Sequence, residues 1–421
     1  MNEFIFANVI FFLKNMQNSG NLKYITNFVT FYLAYMNIFT NKSTEYFPLN
    51  TGVFRICLAV AFFVCCFAGE VQADGKKFLK SIENYLDSSV VKGVDPNYVA
   101  LPKKPWAVVL KSDIEQLDLR MDATDYDEEM AFTHTVRVKP PVNASVGLWA
   151  GYRGSGFGYS LSLSDNGGFN FGISMVAPSY ALNLRISRFS FRRPESYFTY
   201  TMESNHKTKV IDLDNEFMDM FLSSPMKIGT VMADGYWVFN KKRFSLLAAY
   251  DQSTIQLRSA GSLIAGLMYY YQKYDYDSPK NFLFISSADK VGRMKIHQGS
   301  IGFGYTYNWV PARGLVVNAI VMPVLTLLNT IKASRYETIF PDDDIVDVDE
   351  YLSAIQLNHV GDDRHYGGAR LDINLKMAVS YNVKDWYFSV TGQRRHFRSD
   401  FDDITLKLTN WSVGASVGRR F

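Results

Sequence analysis

Strict alternation of apolar and polar residues, repeated along most of its length, constrains this chain more than any other feature of its sequence. In 157–163, Phe157, Tyr159, Leu161 and Leu163 alternate with Gly158, Ser160 and Ser162. In 169–175, Phe169, Phe171, Ile173 and Met175 alternate with Asn170, Gly172 and Ser174. In 300–309 the apolar series is Ile301, Phe303, Tyr305, Tyr307 and Trp309, and in 370–381 it is Leu371, Ile373, Leu375, Met377, Val379 and Tyr381. Segments 144–152, 180–187 and 386–393 behave similarly. Side chains of a strand point to opposite faces in turn, so a period of two means strands with one face in an apolar medium.

That medium is either a protein core or lipid, and three features favour lipid. Several runs reach about 10 to 15 residues, nearer a tilted transmembrane strand than the usual strand of about 5–6. The polar face is small or charged, as with Arg370, Asp372 and Lys376, which suits a wet lumen. Aromatics, 15% of the chain with 26 Tyr and 32 Phe, crowd supposed strand ends such as Tyr269-Tyr270-Tyr271 and Trp309, in the manner of an interfacial girdle. The expected fold is therefore all-β: an antiparallel transmembrane β-barrel of about 12 strands, with 10 to 14 allowed.

The last strand adds a specific signal. Trp411, Val413, Ala415, Val417, Arg419 and Phe421 share one face, and Ser412, Gly414, Ser416, Gly418 and Arg420 the other. A terminal aromatic closing an alternating strand resembles the signal that barrel-assembly machinery reads, carried here by Trp411, Val413, Val417 and Phe421. Arg419 departs from that pattern, where an apolar residue is usual.

An address precedes the strands. Arg55 is followed by an apolar run to Ala68, too short for a membrane helix of about 20 residues, and Val71-Gln72-Ala73 fits signal cleavage after Ala73. All three cysteines, Cys57, Cys65 and Cys66, lie in that run, so a cleaved chain has no thiol chemistry. The expected layout is an upstream stretch at 1–52 from a start codon placed too early, a signal peptide at 53–73, a periplasmic helix and Pro-containing linker at 74–105, and the barrel at 106–421. The helix rests on Phe78, Leu79, Ile82, Tyr85 and Leu86 at helical spacing. Turns 310–313 and 382–385 are expected to be periplasmic and the polar insertion 330–367 extracellular, with the side of a second insertion, 203–226, open. Ser259 to Ser262 reads as a tight small-residue turn.

The stretches Asp95-Pro96-Asn97-Tyr98-Val99 and Pro102-Lys103-Lys104-Pro105-Trp106 resemble the opening of a bacterial family, domain of unknown function 4421. Tyr236-Trp237-Val238-Phe239-Asn240, Phe244-Ser245, Gln252 and Ser259-Ala260-Gly261-Ser262 resemble its middle. The resemblance implies an exported outer-membrane β-protein of a Gram-negative cell and lends no activity.

Chemistry is sparse. His359, Asp362, Asp363 and His365 lie close together in the long insertion, where two imidazoles and two carboxylates are the raw material of a metal site or acid–base pair. Such groups in a polar loop are more often simply solvated, and no metal, cofactor or catalytic residue is assigned. The acidic run from Asp342 to Glu350 lacks the Gly and spaced Glu of a calcium loop. Gly154-Ser155-Gly156-Phe157-Gly158 opens a strand, not a helix, so it reads as a hairpin turn rather than a phosphate cradle. With 44 basic against 41 acidic residues there is no electrostatic footprint for nucleic acid. Expected partners are outer-membrane lipid and the barrel-assembly machinery, with any small-molecule ligand unidentified. The leading function is a structural or narrow, porin-like barrel. The alternatives are an outer-membrane enzyme acting on lipid or peptide through 330–367, and a soluble periplasmic ligand-binding sandwich.

Overall fold

The computed structural model describes residues 75–421 apart from 128–129, 164–166, 192–194, 205–206, 214–222, 342–346 and 402–403. The expected signal run, the expected cleavage position Ala73 and the stretch 1–52 lie outside the described residues, as do Asp342, Asp343 and Asp344. Helix α1 (Gly75–Val91) precedes the sheet, which lies wholly within 86–421. A short strand β1 (Val99–Ala100) follows.

Twelve strands close into one antiparallel ring. In chain order they are β2 (Trp106–Asp127), β4 (Asn143–Tyr152), β5 (Ser155–Ser162), β6 (Gly168–Ala177), β7 (Tyr180–Phe191), β10 (Met226–Val238), β12 (Ala260–Asp275), β13 (Val291–Ala312), β14 (Leu315–Ile339), β16 (Arg370–Val383), β17 (Trp386–Phe401) and β18 (Ile404–Arg420). The seam joins the last strand to the first, from Arg420↔Ala107 to Ile404↔Ala123, and the Phe421 N–H donates to the Trp106 carbonyl at 2.9 Å. Chain entry and exit therefore share one end. Above the ring at the far end, β3 (Met130–Lys139) pairs with the upper half of β2, and β8 (Glu195–Ser204) and β9 (Lys207–Leu213) extend it. β15 (Gln356–Tyr366) caps the upper half of β14. The described parts of both polar insertions, 203–226 and 330–367, thus lie at the far end.

Turns at the terminal end are tight, the connection from β10 to β12 apart. Arg153-Gly154 joins β4 to β5 with φ of 49° and 90°, and Gly314 joins β13 to β14 at φ 81°. Left-handed conformation at both central residues of a two-residue turn suits the twist of a hairpin, and Gly adopts it at no steric cost. Ser259 to Ser262 is not a turn: β12 begins at Ala260, and Ser262 Oγ accepts from the Asn240 N–H at 2.9 Å. Gly261 there leaves room for the Tyr305 ring, whose hydroxyl would lie 1.9 Å from an added Cβ.

The outer face is the one the alternation marked. Leu371 is 72% exposed, Leu267 66%, Phe157 61% and Phe303 55%, while the intervening residues face inward. Four of the six tryptophans, Trp106, Trp237, Trp309 and Trp386, point outward at the terminal end and form a girdle with Phe421. Tyr269-Tyr270-Tyr271 is not at a strand end but in the upper part of β12, and Tyr270 points inward. Tyr269 and Tyr271 instead mark a second girdle, with the Tyr269 hydroxyl 2.8 Å from His297 Nδ1. Eight residues of β12 separate Gly261, opposite Tyr307, from Tyr269; at a tilt near 40° that is about 20 Å of apolar wall, the height of a lipid-facing band.

Position along the wall should decide what a charge costs. Phe303→Arg, opposite Ala265 in mid-band, is expected to destabilise the barrel by about 2–4 kcal/mol. Val360→Arg, on β15 above the band, should change stability by no more than about 0.5 kcal/mol. Reversible urea unfolding in lipid vesicles measures both.

Candidate functional site: a lumen filled from both ends

The inside of the ring is built in three layers. At the terminal end the connection from β10 to β12, residues 239–259, does not stay outside but folds back into the lumen. It carries a helical turn α2 (Leu247–Tyr250) and a short strand β11 (Ile255–Gln256). Phe244, Leu247 and Ala248 are wholly buried, and Phe244 and Leu247 pack on inward-facing Val176, Ile264, Ile320 and Met322 of the wall. Burying side chains of this size contributes about 1.5–3 kcal/mol each for Phe and Leu.

Polar groups fix this plug in place. Gln256 is fully buried; its Oε1 accepts from the Ser245 N–H at 2.9 Å and from Asn308 Nδ2 at 3.0 Å. Its Nε2 faces the carbonyls of Arg243 at 2.6 Å, Arg258 at 3.0 Å and Tyr98 at 3.3 Å. Asn308 Nδ2 also donates to the Ser245 carbonyl at 2.8 Å, and Ser380 Oγ to that of Ala248 at 2.9 Å. From the N-terminal side β1 pairs with β11, and Tyr98 lies under the guanidinium groups of Arg243 and Arg258 at 5.1 and 5.8 Å. From the C-terminal side Arg420, 3% exposed, donates to the Gln252 carbonyl at 2.5 Å and to Asn382 Oδ1, and stacks on Tyr387 at 4.7 Å.

The residues that carry the family resemblance meet here. Tyr98, Val99, Asn240, Phe244, Ser245, Gln252, Ser259 and Ser262 are scattered over more than 160 positions, yet each belongs to the plug or its clamp.

The middle layer is polar, as the lumen-facing residues lead one to expect. Glu115 accepts from Asn410 Nδ2 at 2.7 Å and pairs with Arg185 at 3.2 Å. Asp234 accepts from Asn183 at 3.0 Å and from Lys376 at 3.4 Å, with Arg395 at 3.9 Å. Nearer the terminal end bulky inward rings lie over glycines of the wall: a Cβ on Gly151 would come 2.1 Å from the Trp149 ring, and one on Gly418 equally close to Tyr387. Among the described residues two small cavities open here, one of about 70 Å³ beside Asp234, Tyr270 and Arg395 and one of about 10 Å³ beside Glu115 and Arg185. Pockets for small molecules run from about 300 Å³ upward, so neither space is large enough for a solute.

The far layer is apolar again. Leu117, Leu119, Met121, Val136, Val138, Phe189, Ile228, Ile296, Ile331, Leu406 and Leu408 all face inward and are buried. Helix α3 (Phe282–Ser287), in the connection from β12 to β13, adds Phe284 and Ile285 to this core. Buried Asn281 anchors that connection, accepting from the Ser224 N–H at 2.7 Å and donating to the Tyr276 carbonyl at 3.0 Å. In the same connection Asp277 accepts from the Tyr336 hydroxyl at 2.8 Å and pairs with Arg293. Burial, then the adjoining Asp275 carboxylate, pushes the Asp277 carboxyl up to about 6.

The far-end candidates are separated by their strand. His359, Asp362, Asp363 and His365 all fall on β15, where His359 Nε2 lies 3.2 Å from Asp362 Oδ1. Asp362 is also taken by Lys332 and by Ser334 Oγ, both at 2.6 Å. Asp363 points to the other face and pairs with Arg335. In a hydrolytic triad the imidazole stands between hydroxyl and carboxylate; here the carboxylate stands between Ser334 and His359. Among the described residues no group of three or more His, Cys, Asp or Glu is placed to hold a metal ion. Asp347 accepts from the Glu350 N–H at 2.9 Å and caps helix α4 (Val348–Ala354). Trp411, Val413, Val417 and Phe421 all point outward on β18.

Neither apolar layer was expected from the sequence, yet both leave a trace in it. On β2 the exposed apolar residues are Val108, Leu110 and Ile114, but the buried ones above are Leu117, Leu119 and Met121. The apolar positions change from even to odd with no break in alternation. The plug appears as Phe244-Ser245-Leu246-Leu247-Ala248-Ala249, an apolar run without alternation inside a connection.

These features define an outer-membrane-type barrel whose lumen its own chain fills. The chain belongs to the family described as "Domain of unknown function (DUF4421)", whose model matches residues 94–421. No curated protein matches the sequence. Among solved structures, the translocator domain of the autotransporter NalP from Neisseria meningitidis aligns at 8% identity and TM-score 0.27, covering 83% of this chain and 99% of that one. The outer membrane protease OmpT from Escherichia coli aligns at 8% identity and TM-score 0.38, covering 76% and 97%. An outer membrane channel from Pseudomonas putida F1 aligns at 11% identity and TM-score 0.25, covering 78% and 100%. Likeness at this level concerns the barrel architecture and nothing finer.

Two measurements address the plug and the far connection. Gln256→Ala strands several buried partners, each worth about 1–3 kcal/mol; hydrogen exchange over 244–252 should accelerate while the barrel strands stay protected. Asp277 binds its proton more tightly folded than unfolded, where its value is 3.8. The linked stability is therefore gained as pH falls from about 6 to about 4, and is absent above. Protection factors over 276–290, with the intrinsic exchange rate at each pH divided out, should be higher near pH 5 than near pH 7.5, and Asp277→Asn should flatten that difference.

Proposed function

We propose that the protein is exported through the signal peptide ending at Ala73 and resides in the outer membrane as a self-plugged, resting-closed barrel. Support for the membrane comes from the outward apolar band between two aromatic girdles, a surface that water would not tolerate as a contiguous patch. The observation that carries the closed state is the filling of both ends, by 239–259 at one and by the inward apolar core with α3 at the other. A constitutive porin-like pore does not fit that lumen. Transport, if the barrel performs it, requires the plug to move, and Gln256, Ser380 and Arg420 are the bonds that must break. The short turns of the terminal end face the periplasm in this reading, and the long far-end strands face outward.

The test is single-channel recording in planar bilayers. The intact protein is expected to give no conductance steps. Replacing 241–256 by a short Gly-Ser link, in protein that still shows a heat-modifiable band, should allow brief openings limited by the far-end core. Steady conductance of the intact protein would overturn the closed reading and restore the narrow pore.

A further inference from the structure

On the outer face, immediately above the upper girdle, cations line up across four neighbouring strands. Lys273 on β12 is directly opposite Lys295 on β13, Lys295 opposite Lys332 on β14, and Lys332 opposite Arg364 on β15. All four have the outward parity of the lipid-facing residues below them. The next outward row toward the membrane is Tyr271, His297, Thr330 and Tyr366, the last 72% exposed. Below that lie Leu267 and Ile301, both exposed. On β12 and β13 the outward positions therefore pass from aliphatic (Leu267, Ile301) to aromatic (Tyr271, His297) to cationic (Lys273, Lys295), at the level where lipid headgroups begin.

Like charges directly opposite one another on a sheet are destabilising, so such a row calls for a counter-charge. The protein supplies only part of it. Lys273 pairs with Asp275 at 2.6 Å, and Lys332 with Asp362 at 2.6 Å. Among the described residues Lys295, between them, makes no ion pair. A comparable row elsewhere on the barrel, Lys407 opposite Arg120 and Arg120 opposite Arg137, is matched internally. There Asp122 serves Arg120 and Lys407, and Asp118 serves Arg137.

We propose that the row Lys273–Lys295–Lys332–Arg364 is a docking site for a phosphorylated lipid of the outward-facing leaflet, whose acyl chains lie on the apolar wall below. Neighbouring strands are about 4.8 Å apart, so the row is about 14 Å long. One phosphate reaches two adjacent cations, and a headgroup carrying two phosphates reaches all four. A lipid, rather than a dissolved anion, is the occupant because the row is continuous with the lipid-facing band and with exposed Tyr366. The proposal rests on the membrane reading above, but fails separately from it: loss of lipid binding leaves the bilayer recordings unchanged.

The test is native mass spectrometry of the detergent-solubilised full-length mature protein, titrated with an acylated disaccharide carrying two phosphates and with its dephosphorylated form. The phosphorylated lipid should bind at least about tenfold more tightly. Lys295→Ala combined with Arg364→Ala should remove that preference, whereas Lys407→Ala should keep it. A heat-modifiable band in each variant shows that the barrel has folded. Equal binding of the two lipids, or an unchanged preference in the double variant, would overturn the proposal. So would inorganic pyrophosphate displacing the lipid at equal concentration, because the row would then be a site for any anion.

Discussion

The seam between β18 and β2 is the interaction on which the rest depends. In a hydrocarbon medium no water is available to a free backbone N–H or C=O, and each one left open costs several kcal/mol. A sheet can stand there only if its first and last strands pair along the whole depth, as Arg420↔Ala107 to Ile404↔Ala123 do. Closure places both chain ends together, and that proximity is used: the entering segment supplies Tyr98 and β1, and the leaving strand supplies Arg420, to the same plug. The residue that ends the final strand inside the lumen is thereby both a wall residue and a clamp.

The barrel is one cylinder in two solvents, and its apolar residues follow the solvent. Within the band they point out, toward lipid. Above the second girdle the outside is aqueous, so polar residues turn outward and apolar ones turn in, giving a conventional protein core inside the extended ring. Leu406 and Leu408 against Val413 and Val417 on β18, or Met294 and Ile296 against Ile301 and Phe303 on β13, show the same reversal as β2. The phase change also fixes where the membrane ends, and the row through Lys295 lies at that line.

Much of the architecture was legible because lipid imposes a simple rule. Alternation in 300–309 and 370–381 identified the outward face residue by residue, and the count of about 12 strands matches the closed ring. Alternation is blind, however, to which face is inside, so the inverted upper half read as more of the same. It is equally blind to connections: 239–259 and 276–290 are short in sequence and give no period, yet they fill the two ends. The pairing of Lys273, Lys295, Lys332 and Arg364 depends on register between strands, which no single strand encodes. The pair His359 and Asp362 was legible as neighbours, but not that Lys332 and Ser334 would claim the carboxylate.

The most direct test of a lumen closed at both ends is site-specific labelling. The only cysteines, Cys57, Cys65 and Cys66, precede the barrel, so a chain beginning at Asp74 offers a silent background. Ser300→Cys places a thiol on the inward face between the plug and the far core, and Leu267→Cys places one in the lipid band. In reconstituted protein a membrane-impermeant maleimide should label neither position, 267 because a thiol in hydrocarbon stays protonated and 300 because no water path reaches it, and should label both once the protein is unfolded in denaturant. Rapid labelling at position 300 by the impermeant reagent would contradict the account, because water would then have a continuous path into a lumen described here as shut.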